Sequence, residues 1–592
     1  MKRQIILAIV FLMALSAGAK VWTVTDPSAV GSRTIEPTPY SLQYYVNNAD
    51  DGDTISFDPL FSGQTILFDT TLVINTGLVI DASGLAQPVH FDGQKKTTLI
   101  TLGNASEKNE SLQDNTFRNI VFENGMSDVA GQGGAVNIFA YRIHFEKCMF
   151  LNNENMTDNT NRQPGAIRNE TSSSQMWLTD CVFRGNKTKR KGGAIAIDAP
   201  SLYINRCLFD DNHAGESGAV LAIKSTKDNV VLRDNTPIVD IRNSTFVGNK
   251  CDQNQTTASG LIIISDDSKG IVPIRLFFNT FVGNVNEINT GTVYSIYAAN
   301  NNITMAGNIF GGNKHITEDP GVYALCGDAN AGGGKMVISN GYNLIYRLKH
   351  NPETDPVNSN DIVYRHWLEV PIMTEQPNAN GVCCPTQQAI DSSLWQQLKA
   401  MPMDQAEELL GYNPIDQTGA ARTSKLVFSG AYEFPAFVLD IDDDYYSVTE
   451  PGLGSFIYRS GDIATLATNN ENFVSWLVND KHHVNNPYRF YVTEDCTITV
   501  NYDEIPGGRP DPDPEIIVDD ALDNISYTSL HYAEGKLYNS ATTDGKITIY
   551  TLSGSVILNR NIRAKESIAF DKQGIYVAVM HTNDGEISVL KF

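Results

Sequence analysis

Cys181-Val-Phe183-Arg-Gly-Asn186 and, six residues on, Gly192-Gly193-Ala194-Ile195 are two short phrases that this 592-residue chain repeats. The first returns as Cys148-Met-Phe150-Leu-Asn-Asn153, Cys207-Leu-Phe209-Asp-Asp-Asn212, Ser244-Thr-Phe246-Val-Gly-Asn249, Asn279-Thr-Phe281-Val-Gly-Asn284 and Asn308-Ile-Phe310-Gly-Gly-Asn313. The second returns as Gly133-Gly134-Ala135-Val136, Pro164-Gly165-Ala166-Ile167 and Ser217-Gly218-Ala219-Val220, with a looser echo at Ser259-Gly260-Leu261-Ile262. Around the first phrase, Trp177 to Phe183 alternates between apolar and polar side chains and reads as one strand running into a turn. At its end Gly and Asn tolerate the left-handed backbone of a sharp corner. In the second phrase glycine makes the bend and the small or aliphatic residues re-enter the core.

Successive Phe positions lie 33, 26, 37, 35 and 29 residues apart. That spread excludes a rigid hexapeptide solenoid and fits coils that carry variable loops at their corners. Coils stacked at the strand spacing of about 4.8 Å place Phe150, Phe183, Phe209, Phe246, Phe281 and Phe310 in one file. They also place Asn153, Asn186, Asn212, Asn249, Asn284 and Asn313 in a hydrogen-bonded ladder. The expected fold class is all-β: a right-handed, single-stranded parallel β-helix, followed by a small antiparallel β module and a C-terminal β-sandwich. A solenoid needs blunt ends, so residues 20–60 are expected to cap one end and the segment after 320 to close the other.

The remaining composition narrows the compartment and the partners. Lys2 and Arg3 precede an apolar run from Ile5 to Leu15 and then Ala17-Gly18-Ala19, the signature of a signal peptide, residues 1–19, cut before Lys20. The run is too short for a bilayer, which needs about 20 apolar residues, and no later segment is expected to span one as a helix. A net charge of −24 repels nucleic acid and anionic lipid. Cys148, Cys181 and Cys207 share one repeat position and read as stacked free thiols. Cys251, Cys326, Cys383-Cys384 and Cys496 have no zinc spacing, so no cofactor or metal is expected.

With these repeats in view, the chain resembles the choice-of-anchor Q surface β-helices, which share both phrases with chlamydial polymorphic outer membrane proteins. Gly52-Asp53-Thr54-Ile55-Ser56-Phe57-Asp58-Pro59, Ser62-Gly63-Gln64-Thr65-Ile66 and Leu78-Val79-Ile80-Asp81-Ala82 look like that family's opening coils. Gly341-Tyr342-Asn343-Leu344, Asp416-Gln417-Thr418-Gly419 and Gly430-Ala431-Tyr432-Glu433 look like its closing segment. Two departures are a helical reading of residues 392–410, through Leu394, Leu398, Leu409 and Leu410, and an interruption from Gln253 to Ser259. The β-helix domain is drawn at 20–433.

Residues 434–505 resemble internalin B-repeat-like spacer modules, on Gly454, Gly461-Asp462, Phe473-Val474-Ser475-Trp476 and Val492 through Val500. The Pro-rich stretch 506–515 reads as an extended linker. Residues 516–592, with Ile549-Tyr550-Thr551-Leu552-Ser553-Gly554, Gly574-Ile575-Tyr576-Val577 and the ending Val589-Leu590-Lys591-Phe592, resemble a type IX secretion sorting domain. That resemblance implies the type IX machinery as a partner and export through the periplasm to the cell surface or medium; separately, the mature chain is expected to be a monomer.

Two functional classes remain open from the residues. One is a non-catalytic, adhesin-like protein that binds glycans or partner surfaces along the solenoid. The other is a polysaccharide lyase or glycosidase acting on acidic chains in a lateral groove, the one reading under which Ca²⁺ enters. The fold alone does not choose between them. The catalytic candidates are Asp210, Asp211, His213 and Glu216, with Arg184 and Lys187 on the neighbouring coil. Against them stands a solvated turn whose carboxylates hydrogen-bond the backbone. Asp440, Asp442, Asp443 and Asp444 read as a charged boundary rather than a calcium loop, and Tyr141, Trp177 and Tyr203 as sugar-stacking or packing aromatics.

Overall fold

A computed structural model of the protein describes residues 19–31, 37–106, 113–158, 163–171, 174–198, 201–224, 238–252, 259–265, 273–287, 293–298, 303–311, 313–315, 323–326, 337–346 and 358–364. It further describes 374, 376–378, 382–383, 401–422, 426–433, 436–443, 446–459, 463–502, 530–533, 536–539, 544–551, 556–563, 566–570, 576–582 and 587–591. The signal-peptide features up to Ala17, residues 253–258 and 392–400, the Pro-rich linker, Cys384, Asp444, Leu552-Ser553-Gly554, Gly574-Ile575 and Phe592 lie outside these. The chain divides into two compact units, 1–433 and 434–592.

The first unit is a parallel β-helix. One coil runs through four strands, for example Arg142–Glu146, Met149–Leu151, Glu154–Asn155 and Ile167–Asn169, and the next begins at Gln175. Stacking makes four all-parallel sheets of 11, 11, seven and nine described strands. Register is strict: Phe150 pairs with Phe183, Phe183 with Phe209, Phe209 with Phe246, Phe246 with Phe281 and Phe281 with Phe310. Their rings lie face to face with centroids 4.5 to 4.9 Å apart, so the file expected from the repeat is present. It also extends one coil further, to Phe122 at 4.9 Å from Phe150.

The asparagine ladder is equally continuous. From Asn186 to Asn313, each Oδ1 accepts from both the backbone N–H and the Nδ2 of the asparagine one coil before, and the Asn153 Oδ1 accepts the Gly125 N–H. Each Nδ2 also donates to the carbonyl of the preceding coil's Phe. The left-handed residue of the corner is the one before the ladder position: Asn152, Gly185, Asp211, Gly248 and Gly283 have φ between 51° and 66°. The ladder Asn itself turns inward.

The single strand expected over Trp177–Phe183 is instead two strands, Gln175–Thr179 and Val182–Arg184, broken at Asp180 with φ 56°. Leu178, Cys181 and Phe183 are all buried. Two inward residues an odd number of positions apart cannot share one period-two strand, which forces the corner. At this corner the thiols of Cys148, Cys181 and Cys207 donate to the carbonyls of Phe117, Phe145 and Leu178. Further along, the Nδ2 groups of Asn279 and Asn308 donate in the same way to Ile241 and Leu276. The thiols are free, and burial pushes Cys148 up to about 12 and Cys181 well above the usual thiol range. In the second phrase, a Cβ on Gly165 or Gly193 would meet the carbonyl oxygen of the next coil at 2.2 or 2.0 Å, so those two positions admit only glycine; on the following coil Ile195 pairs with Leu221, which brings Ala219 rather than the expected Gly218 into the file.

The helix Leu42–Asn48, capped by the Ser41 hydroxyl on the Tyr44 N–H, buries Leu42, Tyr45 and Val46 over the first coil. After the last coil strands at Val337–Ser339, Leu344–Tyr346 and Ile362–Tyr364, residues 401–433 run back along the flank rather than over the end. The helix Met403–Leu410 packs with Phe277, Phe278 and Ala306. Gln417 donates to the Cys207 carbonyl and Gly430 to that of Gly307, while the Ala431 N–H reaches the Thr280 hydroxyl.

In the second unit, the strands from Ala436 to Tyr502 form sheets of five and three around Trp476. The sheets are antiparallel except that Ala436–Asp442 pairs parallel with Cys496–Tyr502, a departure from the wholly antiparallel module expected. Residues 530–591 supply antiparallel sheets of three and four described strands with a core of Leu537, Ile547, Ile549, Ile568 and Met580.

Candidate functional site

The cluster nominated around residue 210 does not converge. Asp210 closes the strand Leu208–Asp210 and sits beside Arg184 one coil before it, at 2.7 Å. Asp211 is the left-handed corner residue, and its N–H donates to the Val247 carbonyl. His213 pairs in register with Lys187 and Lys250, and its Nε2 lies 2.8 Å from Asp252. That approach is poorly aligned for a hydrogen bond, since the same Nε2 counts as buried without a partner. Glu216, 4% exposed, meets Arg190 at 2.6 Å. The four candidates therefore divide among partners on different coils.

The aromatics have a different role. His144, Trp177 and Tyr203 stand in register on the first sheet's outer face and stack at 4.3 and 5.3 Å, within 8° of parallel. The Trp177 ring is covered on both faces by its neighbours, leaving the edges outward, so it offers no open face to a sugar. Burial pushes the His144 imidazole below its ordinary value. In the second unit, Asp440 accepts the Ser455 hydroxyl, and Asp443, 4% exposed, accepts the Ser447 N–H and the Tyr502 hydroxyl. No group of three or more metal-ligating side chains occurs among the described residues, and no described helix is long and apolar enough to cross a membrane.

What sequence reasoning missed is a cleft on the flank, where the returning segment crosses the corner between the first two sheets. Its cavity volume is about 580 Å³, and Lys147, Asp180, Cys181, Val182, Arg206, Leu208, Ile415, Gln417, Thr418 and Gly419 line it. Lys147, Asp180 and Arg206 occupy the same left-handed corner position on three successive coils, with φ 52° to 56°, which turns their side chains out of the core. Arg206 grips Asp180 through two hydrogen bonds of 2.6 and 2.8 Å. That carboxylate pushes the guanidinium further up, above the loss from burial. The exposed Lys147 ammonium has no partner among the described residues. On the facing wall, Asp416 accepts from the N–H and hydroxyl of Thr418 and the N–H of Ala420, fixing the turn.

Asp180 also opens a segment that matches a known repeat. Residues 180–198 match the Chlamydia polymorphic membrane protein repeat. The matched repeat begins at the cleft corner, includes Phe183 and Asn186 of the two ladders and Gly193 of the glycine file, and ends at Asp198 beside Arg168 of the previous coil. It is about one coil less the first-sheet strand. A chain with this repeat on stacked parallel sheets is a polymorphic membrane protein-like parallel β-helix. No curated protein matches the chain.

Proposed function

We propose that this is an exported cell-surface protein that binds glycans without cleaving them, and that the flank cleft is its saccharide site. The observation carrying this reading is the Asp180–Arg206 pair set beside the free Lys147 ammonium in a cleft whose lining also includes the apolar side chains of Val182, Leu208 and, from the facing segment, Ile415. A paired carboxylate and guanidinium present acceptors and donors in one plane, the array that vicinal hydroxyls satisfy. A cavity of about 580 Å³ falls in the range of roughly 300–1,000 Å³ that small ligands fill. Lys147 at the rim favours sugars that carry a carboxylate.

The dispersal of Asp210, His213 and Glu216 among separate partners weighs against general acid–base catalysis there, which needs groups converging on one reacting atom. Export rests on the charged and apolar leader before Ala17-Gly18-Ala19, and delivery to the surface on the sorting-domain resemblance of 516–592. The test is titration of the full mature chain against neutral, uronate and sialylated oligosaccharides. Lys147→Ala is expected to weaken uronate binding about tenfold and neutral binding little. No binding by the wild type, or identical binding by Lys147→Ala and Thr418→Val, removes the cleft as the site. Unsaturated or new reducing ends after incubation with pectin, alginate or glycosaminoglycan, with or without Ca²⁺, replace the reading with a lyase or glycosidase.

A further inference from the structure

The N-terminal cap holds a carboxylate that awaits a charge. Asp53, 2% exposed, stands at the turn before the strand Thr54–Phe57. Its Oδ1 accepts the backbone nitrogen of Lys20 at 2.7 Å, and its Oδ2 accepts the Trp22 indole at 2.8 Å and the Asp50 N–H at 3.0 Å. Burial raises this carboxyl, but the indole, the two backbone N–H donors and the more distant charge of the Lys20 side chain outweigh it and hold it below the usual range, as an anion. All three hydrogen-bond partners are formally neutral, so no cation touches the buried anion directly. Lys20 is otherwise well placed as a first residue. Its carbonyl accepts the Thr54 N–H, its ammonium lies 3.3 Å from Asp50, and both it and Ala19 are exposed, so severing the chain before it costs no buried contact.

We propose that hydrolysis of the Ala19–Lys20 peptide bond installs the missing cation: the freed Lys20 α-ammonium forms an ion pair with Asp53 and locks the first strand onto the solenoid. Water supplies the hydroxyl that leaves Ala19 as a carboxylate, and its hydrogen and the carboxyl proton convert the amide nitrogen to an ammonium. The nitrogen already sits at hydrogen-bond distance, so the pair forms without rearrangement. An α-amine of ordinary value about 7.7–8.0 is cationic at neutral pH, more so beside Asp53. The neutral amide of the uncut precursor cannot supply that charge, which leaves the cap less firmly closed before export than after it. The inference rests on the export reading only for the cut itself.

The experiment compares the full chain beginning at Lys20, released from a cleavable fusion, with the same chain acetylated at Lys20 and with one retaining Gly18-Ala19. The free amine is expected to give the highest unfolding midpoint and the slowest amide exchange over residues 21–24 and 54–57. Asp53→Asn is expected to abolish the difference between free and acetylated forms. If Asp53→Asn does not fold, competitive acylation of the wild type decides instead. The Lys20 α-amine is expected to react at least tenfold more slowly than an exposed α-amine, and equal reactivity overturns the proposal. So does equal stability of the free, acetylated and extended chains. N-terminal sequencing of the exported protein tests the cut separately: another first residue refutes processing at Ala19, whatever the purified chains show.

Discussion

Replacing Asn212 by Ala removes one rung from the middle of the buried ladder, and the structure sets the size of the effect. The Asn212 side chain accepts the N–H of Asn186 at 3.2 Å and its Nδ2 at 2.9 Å, and donates to the Phe183 carbonyl and the Asn249 Oδ1, both at 2.9 Å. Four hydrogen bonds at a net of about 1 kcal/mol each give roughly 4 kcal/mol. The Asn186 N–H is left without its acceptor in a site of 0% exposure, which keeps the estimate from falling. Asn212→Asp sharpens the test. Its carboxylate still accepts from Asn186 but faces two acceptor oxygens with no proton to offer, so at pH 7 it is expected to be less stable than Asn212→Ala. Its folded pKa must then lie above the unfolded value of about 3.9. The stability recovered by protonation is therefore fully present below about pH 4 and is lost as pH rises through the folded value. The assay is urea unfolding of the full chain, followed by hydrogen exchange in peptides spanning 175–215, since a solenoid opens coil by coil. A loss under 1 kcal/mol for Asn212→Ala, or an Asp variant that tracks the Ala variant at every pH, refutes the ladder as a source of stability.

Phe209→Ala leaves a void in the ring file and is expected to cost about 3–5 kcal/mol, seen as a lower unfolding midpoint for the first unit. Cys207→Ser keeps a donor where Ser244 stands one coil on, and is expected to cost less than about 1–2 kcal/mol. The thiols of Cys148, Cys181 and Cys207 should resist alkylation until the chain is denatured, as the burial of all three and the raised values of Cys148 and Cys181 require. Burial lifts the Glu433 carboxyl to about 7 although Arg422 draws it down. A raised folded value means a contribution present below about pH 4 and lost through pH 7. Exchange protection of 415–433 is therefore expected to fall across that range by up to about 3 kcal/mol, and Glu433→Gln should flatten the profile.

The ladders were legible because stacking turns one spatial position into a recurring letter: Phe and Asn repeat since each must lie on its own kind. The corner at Asp180 was legible in principle too, through the odd separation of Leu178 and Cys181, but the local run of alternation masked it. The returning flank segment was not, because its partners are remote. Gln417 meets Cys207, 210 residues away, and Arg422 meets Asn243. One trace of it does exist in the repeats. The outward residue after Phe183 and Phe209 is Arg184 and Asp210, whereas after Phe246 and Phe281 it is Val247 and Val282, both buried with Leu208, Ile309 and Cys383; Leu151 after Phe150 is apolar too but only half-buried. An apolar outward position in a solenoid marks a surface that something else will occupy.

The same geometry explains why a catalytic cluster read along the chain was the wrong unit. In a parallel solenoid, a side chain's nearest neighbours are the equivalent residues one coil before and after, not those two or three positions along. Asp210 thus finds Arg184, Glu216 finds Arg190 and Arg168 finds Asp198, each closing an inter-coil pair that spends its charge on stacking. A binding site on such a surface arises where the ladder of pairs is interrupted and a second segment supplies a wall. At the left-handed corner, Asp180 pairs with Arg206 on the next coil, and Lys147 one coil before is left over while residues 415–419 stand opposite. Moving the surplus charge should therefore move specificity without unfolding the solenoid: Lys147→Glu is expected to fold as the wild type does and to lose uronate binding while keeping that of neutral sugars. Loss of both ligand classes would mean that Lys147 shapes the cleft rather than selecting its occupant.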